Sequence, residues 1–403
     1  MLRPQPIGIF PFPANYLLLD ESFSESEAHQ NLMRGQFPKE ESFYKFALEN
    51  DIENSLKSLV NNESNEAKFN CFVLQSSPEL YKKLKAEFSD EFAILLNVAA
   101  FTLNYIAEPP SAENTDGEIR ALVLSAQATY KLENREIDEA IKLLQEAKDS
   151  AKAVSPIFSA QIAGNLAETK HQIFGASADV VTLYKQAIEG LKNSELEATK
   201  AVLNLNLGIC YQEMSQGNRG ALLEAVKHYQ ESLKYFTRED FPEEFAFTQN
   251  NLALAYLSIP LTEASDTLRV AIAIQALREA LKVYKKETHR ELWASTQLNL
   301  ANALQHAPSG HVEENLMEAV NLYEEILSVR QPTENPVGFA RLLANQGNAL
   351  AHLGVFEHAI PKFNEAKNIF VQIGENDSAE AIAEVLNEIE TQKSGQLSVA
   401  GGQ

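Results

Sequence analysis

Between residues 117 and 372, apolar positions recur three and four residues apart in segments separated by short polar turns, a pattern that predicts paired amphipathic helices. The second helix of each pair carries three core positions spaced four and three apart. These are Ala140/Leu144/Ala147, Val180/Tyr184/Ala187, Ala225/Tyr229/Ser232, Ala273/Leu277/Ala280, Ala319/Tyr323/Ile326 and Ala359/Phe363/Ala366. Small residues admit a neighbouring helix closely, and the large one between them fills the groove. The first helix carries its own signature: Asn-Leu-Gly-x-x-Tyr at 206–211, Asn-Leu-Ala-x-x-Tyr at 251–256 and Asn-Leu-Ala-x-x-Leu at 299–304. Six helix pairs result, and one asparagine marks most of them. Asn165, Asn206, Asn251, Asn299 and Asn345 follow one another at 41, 45, 48 and 46 residues. A polar residue at nearly fixed spacing inside apolar helices signals a repeat array.

Upstream, the pattern differs. Residues 1–37 read as an extended apolar arm packed along the first helices, because Pro11 and Pro13 interrupt Ile7-Gly8-Ile9-Phe10. The acidic stretch from Ser22 to Glu27 reads as a loop. Helical spacing resumes over 40–49 and 52–60, with Asn50-Asp51 as the turn and 61–66 as a polar connection. Ser77 is placed to cap a helix opened by Pro78, and an apolar helix over 90–107 runs up to Pro109-Pro110. The expected organisation is an arm (1–37), a non-repeat helical region (38–116), repeats (117–390) and a disordered tail (391–403) containing Ser394-Gly395 and Gly401-Gly402.

The two helical signatures, occurring together and in register over about two-thirds of the chain, resemble the tetratricopeptide repeat family. The usual repeat is about 34 residues. The longer form here is similar to the extended repeats of kinesin light chains, and more so to bacterial arrays that often accompany caspase-like protease domains, although no such domain is read here. Ser125 replaces the asparagine in the first pair, and Leu304 and Leu350 replace the tyrosine in the last two. The resemblance implies an all-α, right-handed superhelical solenoid with an N-terminal helical cap region. It also implies a concave surface lined by first helices, whose asparagines hold peptide backbones or terminal carboxylates.

Helical geometry gives the column a direction. Leu207, Gly208 and Tyr211 lie about 100°, 200° and 140° from Asn206, which therefore points away from the packing face. Asn302 and His306 share the side of Asn299, and Asn348 and His352 that of Asn345. An asparagine offers both a donor and an acceptor, so a row of them suits an extended backbone. The alternative is that each bonds to the adjacent repeat and fixes the stacking. The candidate binding residues are Asn165, Asn206, Asn251, Asn299, Asn302, Asn345 and Asn348, with Arg341, one turn before Asn345, as an anchor for an acidic or C-terminal group.

Composition narrows the classes. With 34 basic and 56 acidic residues, a net charge of −22 counts against nucleic acid and anionic membranes. Cys71 and Cys210 are the only cysteines, which excludes a disulfide framework and suits a reducing compartment. Prolines stand where a signal peptide would have its apolar core, and the greasiest stretch, 92–107, is too short and polar to span a bilayer; a soluble cytoplasmic protein is expected. No phosphate loop, His-Glu-x-x-His pair or paired-cysteine site is present, and His306 with His352 lacks a third metal ligand. The expectation is a non-enzymatic, cofactor-free scaffold or adaptor that binds a protein or peptide in the groove. An accessory subunit or maturation chaperone of an enzyme, and a peptide-responsive regulator acting through proteins, stay open.

Overall fold

The computed structural model describes residues 1–10, 16–39, 42–261 and 266–400. Pro11 and Pro13 of the arm, Glu40, residues 262–265 and the Gly401-Gly402 pair lie outside the described residues. Every regular element among the described residues is a helix, and the chain divides into two compact units, Met1–Met214 and Ser215–Gln403.

The first unit opens with a 3-10 turn (Glu21–Phe23) followed by α1 (Glu27–Met33), α2 (Phe43–Leu48), α3 (Ile52–Leu59), α4 (Asn65–Gln75), α5 (Pro78–Glu87) and α6 (Asp90–Thr102). Its repeat helices are α7 (Gly117–Glu133), α8 (Ile137–Ala151), α9 (Pro156–Phe174), α10 (Ala178–Gly190) and α11 (Glu197–Met214). The second unit holds α12 (Arg219–Ser232), α13 (Pro242–Ser258), α14 (Asp266–Leu281), α15 (Arg290–Gln305), α16 (Val312–Leu327), α17 (Pro336–His352), α18 (Phe356–Gln372) and α19 (Asn376–Ala400).

The boundaries have local causes. The short helices α1 to α5 are each capped by a side chain, from Ser26, Ser42, Asp51, Ser64 and Ser77, that accepts the backbone N–H three residues on. Proline opens α5, α9, α13 and α17 at the position where its missing N–H costs nothing. Two helices run where the hydrophobic pattern pointed to connections. α1 begins at Glu27, and α4 includes Asn65 and Glu66. α4 turns the polar residues Glu66 and Asn70 inward beside Phe69, Phe72 and Val73, which blurs its amphipathic signal. α6 stops at Thr102, short of residue 107, and Asn104 takes a left-handed φ of 60°. α19 carries residues 391–400, which composition had assigned to the tail.

In the repeats, the central large side chains of the second helices, Leu144, Tyr184, Tyr229, Leu277, Tyr323 and Phe363, are all buried, as are the small residues beside them. Two repeat glycines face side chains of neighbouring helices at close range, and a larger residue at either would make those side chains shift. A Cβ on Gly164 would stand 2.7 Å from Leu203 Cδ2, and one on Gly347 would stand 3.1 Å from the Phe363 ring.

The N-terminal arm is part of the core of the first unit. Tyr16, Leu17, Leu18 and Leu19 are fully buried, so their main-chain groups need partners other than water. Two amides supply them for Leu18 and Leu19. Asn70 Oδ1 accepts from Leu18 N (2.8 Å) while its Nδ2 donates to Leu18 O (2.9 Å). Gln5 Oε1 accepts from Leu19 N (2.8 Å) while its Nε2 donates to Leu19 O (2.9 Å). Arg3 is paired with Glu91, Asp116 and the buried Glu118. Gln161 donates to Gly8 O, and Glu195 N donates to Gly35 O at 2.8 Å. The arm thus touches the starts of α7 and α9 and the turn before α11.

Candidate functional site

The asparagines divide between the units. Asn165 on α9 is exposed and Asn206 on α11 is half-buried; both belong to the first unit, and among the described residues neither side chain has a hydrogen-bond partner. Asn251, Asn299, Asn302, Asn345 and Asn348 are half-buried on α13, α15 and α17 of the second unit.

There the amides form a ladder across first helices. Asn299 Nδ2 donates to Asn250 Oδ1 on α13 at 3.2 Å, and Thr296 Oγ1 lies 3.4 Å from the same oxygen. One repeat further on, Asn345 Nδ2 donates to Asn302 Oδ1 at 3.1 Å. The Tyr323 hydroxyl, from the buried core triad of α16, donates to that oxygen at 2.7 Å and lies 2.8 Å from Gln305 Oε1. Asn251 Nδ2 instead returns to its own helix, donating to Phe247 O at 3.0 Å. Asn348 makes no side-chain hydrogen bond among the described residues.

The ladder is polarised. Each rung uses the donor of the later residue and the acceptor of the earlier one. The Nδ2 groups of Asn250 and Asn302 and the Oδ1 groups of Asn299 and Asn345 are left without partners among the described residues. Asn250 was not among the sequence candidates. It directly precedes Asn251, and only the offset between neighbouring helices brings it, and not Asn251, to Asn299.

Beneath the ladder the glutamines of the same signatures tie first to second helices. Buried Gln297 donates to Glu325 Oε2 at 2.8 Å, and buried Gln346 donates to Glu324 Oε2 at 2.7 Å. The Gln346 bond and Lys362, 3.1 Å away, hold the Glu324 carboxyl below the usual carboxylate range. Arg341 is exposed and forms no ion pair among the described residues. His306 and His352 are exposed, and no group of three metal-ligating side chains occurs among the described residues. Burial pushes the thiols of Cys71 and Cys210 up, opposite to the direction that activates a nucleophile. Among the described residues no helix is long and apolar enough to cross a membrane.

No family model matches the chain, and no curated protein does. Solved structures do match. The crystal structure of the apo form of RapI is similar over 85% of this chain and 98% of that one, at 13% identity and a TM-score of 0.51. A Rap protein complexed with competence and sporulation factor matches over 88% of this chain and 100% of its own, at 12% identity and a TM-score of 0.40. The TPR2AB domain of yeast Sti1, in complex with pHSP90, matches over 67% of this chain and 98% of its own, at 16% identity and a TM-score of 0.26. At such identities likeness speaks for architecture alone: the chain has a tetratricopeptide-type helical-repeat fold.

Proposed function

We propose that the chain is a non-enzymatic interaction protein whose second unit binds an extended peptide segment of a partner across α13, α15 and α17. The observation that carries this reading is the polarised ladder. Amides locked by their inter-repeat bonds present alternating free donors and acceptors, which complement the N–H and C=O groups of an extended chain. Stacking and binding are then two uses of one row. Asn299 and Asn345 act through their free Oδ1 atoms, Asn250 and Asn302 through Nδ2, and Asn251 and Asn348 flank them. Arg341 selects an acidic or C-terminal group. Three adjacent first helices at about 8–10 Å spacing cover roughly 16–20 Å, which is about five or six residues of extended chain. Asn165 and Asn206, in the first unit, would offer a separate and sparser row.

The test is selection of short unstructured peptides from a displayed library on the full chain, followed by affinity measurement on Asn251→Ala/Asn348→Ala and Arg341→Ala variants. The reading expects extended peptides with an acidic residue or free carboxylate, bound at least tenfold more weakly by both variants. Peptides bound equally by wild type and variants would overturn it.

A further inference from the structure

A second recognition surface lies in the first unit, on helices that carry none of the candidate asparagines. α3, α4 and α5 enclose an open groove of about 550 Å³. Its floor is apolar, with Leu56 and Leu80 half-buried along it, and Val60 stands 75% exposed at its rim. An exposed β-branched residue beside two half-covered leucines is an unfilled apolar surface.

The rim carries the opposite charge from the rest of the chain. Lys57, Lys68 and Lys83 line the groove against one acid, Glu53, whereas the whole sequence has 34 basic and 56 acidic residues. Lys57 is paired with Glu53 and Lys68 with Glu87; Lys83 has no partner within ion-pair distance among the described residues, although Glu87 also feels its charge, so three lysines against these two acids leave the rim one net positive charge. Charges further away than a Debye length, about 8 Å at physiological ionic strength, are screened, so a partner entering the groove meets the lysines and not the distant acidic surface. The walls are helices whose main-chain groups are bonded internally. An incoming strand would find no backbone partners there, whereas a helix brings its own backbone already satisfied.

From these observations we propose that the α3–α5 groove docks an acidic amphipathic helix of a partner protein, its apolar stripe on Leu56, Val60 and Leu80 and its carboxylates on the lysine rim. This is independent of peptide binding by the second unit. Cys71 lines the groove and is half-buried, while Cys210 is fully buried, so alkylation of Cys71 reports occupancy directly.

The experiment uses the full chain and two synthetic helical peptides with leucine at every third or fourth position, one with glutamate elsewhere and one with lysine. The acidic peptide should slow Cys71 alkylation at least tenfold, weaken with added salt, and lose its effect on a Val60→Asp/Lys83→Glu variant. Both positions are exposed, and an unchanged circular dichroism spectrum and Tm would show that this variant folds. Four outcomes would each overturn the proposal: no protection, equal protection by both peptides, protection that survives in the variant, and protection by self-association that Val60→Asp abolishes, which would make the occupant a second copy.

Discussion

If the amide ladder joins the first helices of the second unit, Asn302 and Asn345 must be energetically coupled. Asn345→Ala removes one half-buried hydrogen bond of 3.1 Å, worth about 0.5–1.5 kcal/mol, and leaves Asn302 Oδ1 still bonded to Tyr323. Asn302→Ala removes the shared acceptor. Tyr323 is fully buried, but its hydroxyl keeps Gln305 Oε1 at 2.8 Å, and Asn345 Nδ2, which loses its acceptor, is only half-buried and can turn to water, so the cost stays near 1–2 kcal/mol. The double variant should be less destabilised than the sum of the two by about 0.5–1 kcal/mol. Trp293, the chain's single tryptophan, lies buried on α15, the helix that bears Asn302, so its fluorescence during urea denaturation reports on this unit. Coupling below about 0.3 kcal/mol would mean that the amides face solvent independently and that no ladder holds the row.

Three further outcomes follow from the packing. Asn70→Ala leaves Leu18 O its bond from Tyr44 (2.9 Å) but strips Leu18 N of its acceptor, at about 2–3 kcal/mol; the Leu18 amide should exchange with deuterium about 30- to 150-fold faster. Gly354 turns between α17 and α18 at φ 74° with nothing near a would-be Cβ, so Gly354→Ala should cost about 1–2 kcal/mol by backbone strain alone, seen as a lower urea midpoint in Trp293 fluorescence. Burial raises the phenols of Tyr184 and Tyr323 and pushes Tyr284 up to about 12. Their stabilising effect is whole below the ordinary tyrosine range near 10 and is lost as pH rises through the folded values. Ultraviolet titration should therefore show a late-ionising class that disappears on alkaline unfolding.

The six core triads were legible in the sequence because a helix repeats every 3.6 residues and each triad is buried wherever that period places it. The asparagine spacing was legible for the same reason. The rungs were not: periodicity gives the register within one helix, while the bond from Asn299 to Asn250 depends on the axial offset between two helices. α4 escaped notice because Glu66 and Asn70 occupy its inner face, and a polar residue there reads as a break in the pattern. The clamps on the arm were hidden differently. Asn70 lies far along the chain from Leu18, and only the buried main chain of Tyr16–Leu19 shows why an amide is needed at that spot.

The row's double use is most directly tested by the affinity of a library-selected extended peptide for an Asn250→Asp/Asn302→Asp variant. Aspartate keeps the oxygens that accept from Asn299, Asn345 and Tyr323, so the rungs and the urea midpoint should survive, while the Nδ2 donors facing the ligand are gone. The account predicts a loss of affinity of tenfold or more, with stability within about 1 kcal/mol of wild type. Undiminished affinity in the folded variant would contradict it and leave the asparagines to stacking alone.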